Sequence, residues 1–466
     1  MSAAEHFENV ILGGGTSGKL ISWELARAGR PTAVIERGLI GGSCPNIACL
    51  PSKNVIHSAK VAQLLRRAAE FGLQTGPART DMAGVRRRKR AMVEDLIAIH
   101  RTRFAANGLE FVLGEGRFIA PRTIEVRLAE GGTQRLECER IFLDLGTHAT
   151  ILDIQGLAAA GPLTHVEALD LDRLPAHLIV LGGGYVGVEM AQAFRRFGSK
   201  VTVVQHGPQL LPREDPDIAE AIRTIFVEEG IDVALEAEPI AVDGSSGEKV
   251  RLRVATHDGE RVIEGSDLLV AAGRTPNTHG IGLEIGGIEL DPRGYIKVNE
   301  RLETSAPGVW AMGECAGSPH FTHVAEHDFR IVRDNLARQN RTTRDRLVPY
   351  CVFTDPELAR VGLSEREAER QGIEARVARL PMSAVFRAQT IGETSGFMKA
   401  LIDPRSERIL GFAMVGAEAG EVMAVVQTAM LAGLPYTALR EAILTHPTMA
   451  EGLRGLFTSD FDQEKQ

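Results

Sequence analysis

The 466-residue sequence predicts an α/β fold in which two strand–glycine turn–helix–strand units precede a separate α+β domain. Three observations carry that prediction. A Gly-x-Gly-x-x-Gly turn occurs twice, at Gly13, Gly15 and Gly18 and again at Gly182, Gly184 and Gly187. Glycine is abundant, with 49 residues against only 5% aromatics, which favours close backbone approaches over an all-β or coiled-coil chain. From about residue 345 the texture changes to short alternating strands with two helices. At roughly 150 residues per domain, the length suits about three domains.

The first unit opens with the apolar run 10–12, turns at the glycines, and continues as a helix over 20–28. Its second strand, 33–35, closes on Glu36. The second unit repeats this order with the run 178–181, a helix through Phe197 and the run 201–204, closing on Gln205. One such turn alone is weak evidence; two in the same context are strong. The glycines let the backbone approach a pyrophosphate, whose charge meets the free N–H groups and positive dipole of the following helix. Glu36 can accept both ribose hydroxyls of a dinucleotide. Both units therefore read as Rossmann-like, and two dinucleotide sites suit a flavin and a nicotinamide working in series.

Residues 81–106 read as a long polar helix carrying five consecutive basic residues, Arg86 to Arg90. Five neighbours cover all sides of a helix, which points to a solvated surface and not to a nucleic-acid contact. The formal charge of −8 likewise gives no bulk support for nucleic acid or an anionic membrane. The strand 266–270 leads into a turn over 271–278 that closes the second unit. In the last domain, strands are expected at Val352, 397–401 and 409–415, with helices over 417–432 and 437–443. No apolar run reaches the roughly 18 residues of a membrane span, and the N-terminus lacks the regions of a signal peptide. The expected compartment is the cytoplasm, where disulfides are rare unless catalytic.

Two of the five cysteines, Cys44 and Cys49, lie together in the segment 41–53 ahead of a helix running to about Arg67. Pro51 suits a first helical turn. Thiols at a helix N-terminus have depressed pKa values, and Lys53 stands four residues after Cys49 on the same helical face. A structural zinc would need a second pair at ligand spacing, which is missing near by. Two buried thiols remain the plain alternative to a redox-active disulfide. Cys138, Cys315 and Cys351 read as small buried residues.

With the cysteine segment, both glycine units in order, the turn 271–278, the run 310–314 and the C-terminal His446-Pro447-Thr448-x-x-Glu451, the chain resembles the FAD-dependent pyridine nucleotide–disulfide oxidoreductases of class I. Glutathione reductase, dihydrolipoamide dehydrogenase and mercuric reductase belong to that family. The resemblance spans nearly the whole chain and implies FAD and either NADP or NAD as cofactors. It also implies a homodimer with composite active sites acting on a small-molecule substrate. The implied domains are 1–150 (first FAD part), 151–272 (nicotinamide), 273–344 (second FAD part) and 345–466 (dimerisation). Cys49 matches the cysteine beside the flavin and Cys44 the one that attacks substrate. Lys53 and Glu189 match an ion pair near the flavin edge, and Tyr185 the tyrosine that gates the nicotinamide pocket. His446 matches the general acid/base, an imidazole suited to a proton shuttle at neutral pH. Glu451 would orient it, although Thr448-x-x-Glu451 also reads as a helix capping box. The resemblance further places cofactor contacts at Gly42, Ser43, Gly146, Gly273, Arg274, Gly313 and Glu314, the last where the family usually has Asp.

Departures accompany the matches. Asp144-Leu145-Gly146 replaces the family's Ala-Thr-Gly, so the link between the flavin and nicotinamide parts is expected to be arranged differently. Asp460 to Gln466 contain no cysteine, which argues against mercuric reductase and large thioredoxin reductase activities. Gln205 stands where NAD sites place a carboxylate, with His206 and Arg213 following, a combination that leans to NADPH with dual use the rival. The expected activity is reduction of a small disulfide or the reverse dithiol oxidation. Two alternatives stand beside it: reduction of a quinone, oxidant or metal ion by the same core, and a redox-sensing flavoprotein. The presence of His446 favours turnover over sensing.

Overall fold

The computed structural model describes residues 4–76, 79–106, 108–344 and 346–459. The expected tail Asp460 to Gln466 lies outside them. The first sheet is built on Glu5–Leu12, flanked in parallel by Thr32–Glu36 and by Thr133–Leu143. Glu110–Ala120 and Val309–Ala311 extend it in parallel at either side. Runs such as Val10-Ile11 and Val34-Ile35 are fully buried because both faces of the parallel sheet are covered. Ile11 and Val34 are covered by helical Ile21 and Ile331, and Val10 and Ile35 by an antiparallel meander through Phe118 and Ile124. Thr123–Leu128 pairs antiparallel with both eleven-residue strands, forming a meander over one end.

The second unit repeats this plan. His177–Leu181 lies between Asp267–Val270 and Lys200–Val204, with Asp232–Ala234 outermost, all parallel. Its antiparallel meander is Glu238–Ser245, Lys249–Thr256 and Gly259–Gly265. The helix Tyr185–Phe197 buries Val188, Ala191 and Phe194 against the sheet. Fully burying a side chain such as Phe194 stabilises the fold by about 1.5–3 kcal/mol.

The chain leaves the first unit and returns to it through a two-stranded ribbon, Thr147–Ala149 against Arg274–Pro276. Asn277 Nδ2 donates to Leu145 O at 2.8 Å, and Thr150 and Thr275 share a hydroxyl bond of 2.8 Å. The last domain is a five-stranded antiparallel sheet in the order Tyr350–Val352, Glu357–Gly362, Ile409–Gly416, Phe397–Ile402, Arg376–Pro381. Lys399 ties it to the second unit: its buried ammonium bonds Asp215 at 2.7 Å, Asp217 at 2.9 Å and Glu365 at 2.8 Å.

The long helix is Met82–Ala106, but its basic run is less solvated than expected. Lys89 is buried on Asp170 at 2.8 Å, Arg86 pairs with Asp172 at 2.9 Å, and Arg88 bonds the Asn54 carbonyl at 2.8 Å. Acids at 170–172, far along the chain, neutralise charges that the local sequence leaves facing water. No helix among the described residues is long and apolar enough to cross a membrane.

Candidate active site

Both glycine turns open on one cavity of about 2240 Å³. It is lined from the first unit by Gly13, Gly15, Glu36, Gly42, Ser43 and Gly146, and from the second by Gly182, Gly184, Tyr185, Gln205 and His206. Gly273, Arg274, Gly313 and Glu314 line it as well, with Cys44, Cys49, Lys53 and Glu189. The third glycines do not. A Cβ on Gly18 would fall 2.2 Å from Gly13 O, and one on Gly187 would fall 1.9 Å from Gly182 O. These two residues let helix and strand close together behind the turn.

In the first turn Glu36 is tied down by its own loop. Its Oε2 accepts from Gly14 N at 2.8 Å, and its Oε1 from Gly38 N at 2.8 Å and Leu39 N at 2.9 Å. In the second, Gln205 Oε1 accepts from Gly183 N at 2.9 Å. The helices Thr16–Arg27 and Tyr185–Phe197 start at Gly15 and Gly184 with no side chain capping them. A Cβ on Gly42 would lie 2.6 Å from Gly15 Cα, so two backbone segments close into a cradle that only glycine permits. Uncapped N–H groups, a side-chain-free cradle and an acceptor beyond it fit a dinucleotide in each unit. The departure at Asp144 puts a carboxylate behind the first turn. Asp144 Oδ2 accepts from Gly18 N at 2.8 Å, and complete burial raises the carboxyl to about 7.

Cys44 lies in the short helix Ser43–Asn46, and Cys49 begins the helix Cys49–Arg66. Their thiol groups lie within hydrogen-bonding reach of each other. That bond pulls Cys49 down to about 6, helped by a Thr322 hydroxyl at 3.3 Å and by the Lys53 charge, although burial opposes it. Cys44 moves the opposite way, pushed up by the same bond and by burial. The negative charge therefore rests on Cys49 and the proton on Cys44. Lys53 Nζ donates to both oxygens of Glu189, at 2.9 and 2.8 Å, and lies 4.6 Å above the Phe353 ring. Phe353 N also donates to Glu189, at 2.9 Å, which fixes the carboxylate under the lysine.

Glu314 accepts from the Thr147 hydroxyl and lies 3.4 Å from Arg274 Nε. Arg274 in turn donates to Thr147 Oγ1 at 2.6 Å. The longer carboxylate is thus locked against the ribbon that joins the two units. His446 does not line this cavity in its own chain. Its side chain is 63% exposed, stands edge-on to Phe386, and meets Glu451 Oε2 through Nδ1 at 2.9 Å. A carboxylate can only accept, so Nδ1 carries the proton and Nε2 is left as the outward base. Thr448 Oγ1 accepts from Glu451 N at 3.2 Å, while the Glu451 carboxylate turns to His446. The helix Gly452–Thr458 begins on Glu451 as an N-cap without a side-chain cap, so the expected capping box does not form and the Glu451 carboxylate serves the histidine. Cys138 and Cys315 are buried, with thiols raised to about 12, and Cys351 is half-buried and also raised.

Sequence reasoning missed Thr322, Glu214, Tyr350 and Phe353. None lies in a spacing motif; Thr322, Tyr350 and Phe353 reach the cavity only through the tertiary fold, and Glu214 lies buried behind its wall on Tyr185 and Tyr350.

Two dinucleotide units opening on one cavity, with a polarised dithiol between them, define a two-cofactor redox enzyme. The family model described as pyridine nucleotide-disulphide oxidoreductase matches residues 7–328, and that of the family's dimerisation domain matches 348–456. The chain is 36% identical over 459 residues to "Probable pyridine nucleotide-disulfide oxidoreductase RclA" of Escherichia coli (strain K12), covering 97% of this chain and 99% of that one. It is 32% identical to a mercuric reductase of Lysinibacillus sphaericus, covering 99% and 83%. Among solved structures, a Cu(II) complex of the HOCl-induced flavoprotein disulfide reductase RclA from Escherichia coli superposes with a TM-score of 0.88 at 35% identity, covering 97% and 99%. The chain belongs to the class I pyridine nucleotide–disulfide oxidoreductase family. It is a homodimeric enzyme that uses FAD and NAD(P)H to pass electrons to or from a redox-active disulfide.

Proposed function

We propose that this enzyme reduces a small disulfide with NADPH through the Cys44–Cys49 pair, in sites each built from two subunits. The observation that carries the reading is the polarised dithiol, with Cys49 lowered to about 6 and Cys44 holding the proton, in a cavity lined by both glycine turns. FAD, held by the first turn, Glu36, Gly42, Ser43, Gly146, Gly313 and Glu314, supplies the two-electron relay between nicotinamide and disulfide. The nicotinamide nucleotide is held by the second turn with Gln205, His206, Gly273 and Arg274. The implied parts are 1–150, 151–272, 273–344 and 345–466, and the proposed compartment is the cytoplasm.

Cys44 needs a base, because its thiol is the one that keeps the proton. His446 of the partner subunit, with Nε2 free and Nδ1 on Glu451, has the chemistry to take it. The Cys44 thiolate then attacks one substrate sulfur, the substrate S–S bond breaks, and the departing thiolate takes the proton from that imidazolium. Cys49 next attacks Cys44, breaking the mixed disulfide to form the intramolecular one and releasing the second substrate sulfur as a thiolate, which takes its proton from solvent. Each turnover consumes the two electrons of the dithiol. Lys53, held by Glu189, keeps a positive charge beside Cys49 throughout.

The test is spectroscopic. Cys44→Ser leaves Cys49 a permanent thiol, so the flavin-loaded variant should show long-wavelength absorbance without reductant, lost as acid protonates the thiolate. Cys49→Ser should not. An unchanged oxidised spectrum in Cys44→Ser from acid to alkaline pH would reject the assignment.

A second reading has an observation of its own: the similar RclA structure is a Cu(II) complex. The same dithiol could deliver its electrons to a metal ion or an oxidant. Anaerobic turnover on a panel of disulfides, quinones and Cu(II) separates the two readings by their kcat/KM.

A further inference from the structure

The phenol of Tyr185 is held by groups that the relay does not use. Its hydroxyl donates to Glu214 Oε1 at 3.0 Å, and the same oxygen accepts from the Tyr350 hydroxyl at 2.6 Å. Glu214 is completely buried, and its other oxygen lies 3.4 Å from Arg360 Nη1. Arg360 also covers the Tyr350 ring, 5.5 Å from its centroid. The rings form one stack. Tyr185 lies 5.5 Å from Tyr350, Tyr350 lies parallel to Phe321 at 5.6 Å, and Phe321 is stacked on His323 at 5.3 Å. Tyr185 and Glu214 come from the second unit, Phe321 from the returning segment of the first, and Tyr350 from the last domain. Three parts of the chain therefore meet on one tyrosine at the cavity wall.

Hydrogen bonds from a neutral hydroxyl to a carboxylate are roughly twice as strong as neutral pairs. Burial and the Glu214 charge push both phenols above their ordinary range, so both remain donors at any working pH. Glu214 has no water to turn to, which makes breaking either bond costly.

We propose that Glu214 and Tyr350 are positioning residues that latch the Tyr185 ring shut, so that an arriving nicotinamide must break the Tyr185–Glu214 bond. The inference rests on reading Tyr185 as the gate of the nicotinamide pocket. A latch lowers the fraction of protein competent to bind, and apparent affinity falls by that fraction. Cutting the latch should therefore tighten binding of the nicotinamide ring and nothing else. Tyr350→Phe removes the bond that holds Glu214 Oε1 beside Tyr185 and leaves Arg360 to draw the carboxylate away, so it loosens the latch only through Tyr185.

The experiment measures binding of NADP+ and NAD+, and of ADP-ribose fragments that lack the nicotinamide, to FAD-loaded dimer, together with KM and kcat for NAD(P)H. Tyr185→Phe keeps the ring and loses the bond: nicotinamide Kd and KM should fall about tenfold, with kcat less affected and fragment binding unmoved. Tyr350→Phe should produce a smaller fall in the same direction, and none at all in the Tyr185→Phe background. Tyr185→Ala removes the gate altogether and should shift nicotinamide binding most. If Tyr185→Ala changes nothing, the gate reading fails and the latch with it. If Tyr185→Ala acts but Tyr185→Phe does not, or if Tyr350→Phe acts equally in both backgrounds, the latch alone is overturned.

Discussion

The two glycine turns have the same backbone and different chemistry. In each, the side chain at the end of the second strand reaches back to a loop N–H: Glu36 to Gly14 at 2.8 Å, and Gln205 to Gly183 at 2.9 Å. The bond that shapes the turn survives the exchange of carboxylate for amide. What changes is what the turn presents outward. Glu36 offers charged lone pairs to sugar hydroxyls and repels phosphate there, whereas Gln205 does not repel it. The floors differ as well. Behind the first turn stands the buried carboxyl of Asp144 on Gly18 N; behind the second, Gly187 faces the small Ala271. Backbone shape is set by the glycines, and the proposed function assigns ligand choice to single side chains on that shape.

The comparison can be broken by exchanging those side chains. Glu36→Gln makes the first turn resemble the second and removes the charge behind its sugar contacts. Charged hydrogen bonds are worth about 1.5–3 kcal/mol each, so FAD affinity should drop ~10²-fold or more while the fold persists. Flavin retention and circular dichroism measured on the same sample check both halves. Normal flavin retention would show that Glu36 serves only its own loop.

Gln205→Glu is the reverse exchange. A carboxylate about 4 Å from a 2′-phosphate costs ~4 kcal/mol at an intermediate dielectric, which implies an NADPH kcat/KM lower by ~10²-fold or more. NADH, with a hydroxyl at that place, should be held or improved. Equal losses with both nucleotides would contradict the assigned role of Gln205.

The smallest effect belongs to the floor. Asp144 has a folded pKa of about 7, above the ordinary 3.8. Between those values the folded state keeps a proton that the unfolded chain releases, so the stability this group contributes is lost as pH rises through about 7. Lys19 opposes the shift, whereas Asp328 and Glu36 add to it. Asp144→Asn should therefore flatten the fall of Tm between the ordinary 3.8 and about pH 7 by a few degrees. A wild-type Tm with the same pH slope as the variant would show that the carboxyl is already ionised.

Much of this was legible because it is local. Each glycine unit places its strand, turn and helix within a few tens of residues, and the runs 10–12 and 178–181 emerge as the buried strands Glu5–Leu12 and His177–Leu181. Helix ends in the last domain were less so. The run 417–432 becomes Ala419–Leu431, because Glu418 adopts a left-handed φ of 60°, and 437–443 becomes Tyr436–Arg440, starting at Pro435. Contacts made only by tertiary folding left no mark in the sequence. Asp144 meets Gly18 across 126 residues and Cys49 meets Thr322 across 273. Thr322 had no spacing to betray it. Glu189 was found through resemblance alone, whereas Lys53 was also marked by its spacing of four from Cys49.

The central claim is that each site takes its thiols from one chain and its proton shuttle from the other, and that His446 therefore faces away from its own cavity. Cys44→Ser and His446→Ala homodimers should each lose most disulfide turnover. In a verified heterodimer of the two, one site lacks both groups and the other holds an intact Cys44 from one chain and His446 from its partner. Activity should then return to about half of the wild-type value per dimer, one working site of two. If no activity returns, the histidine and the cysteines act within one chain, and the two-subunit site is wrong.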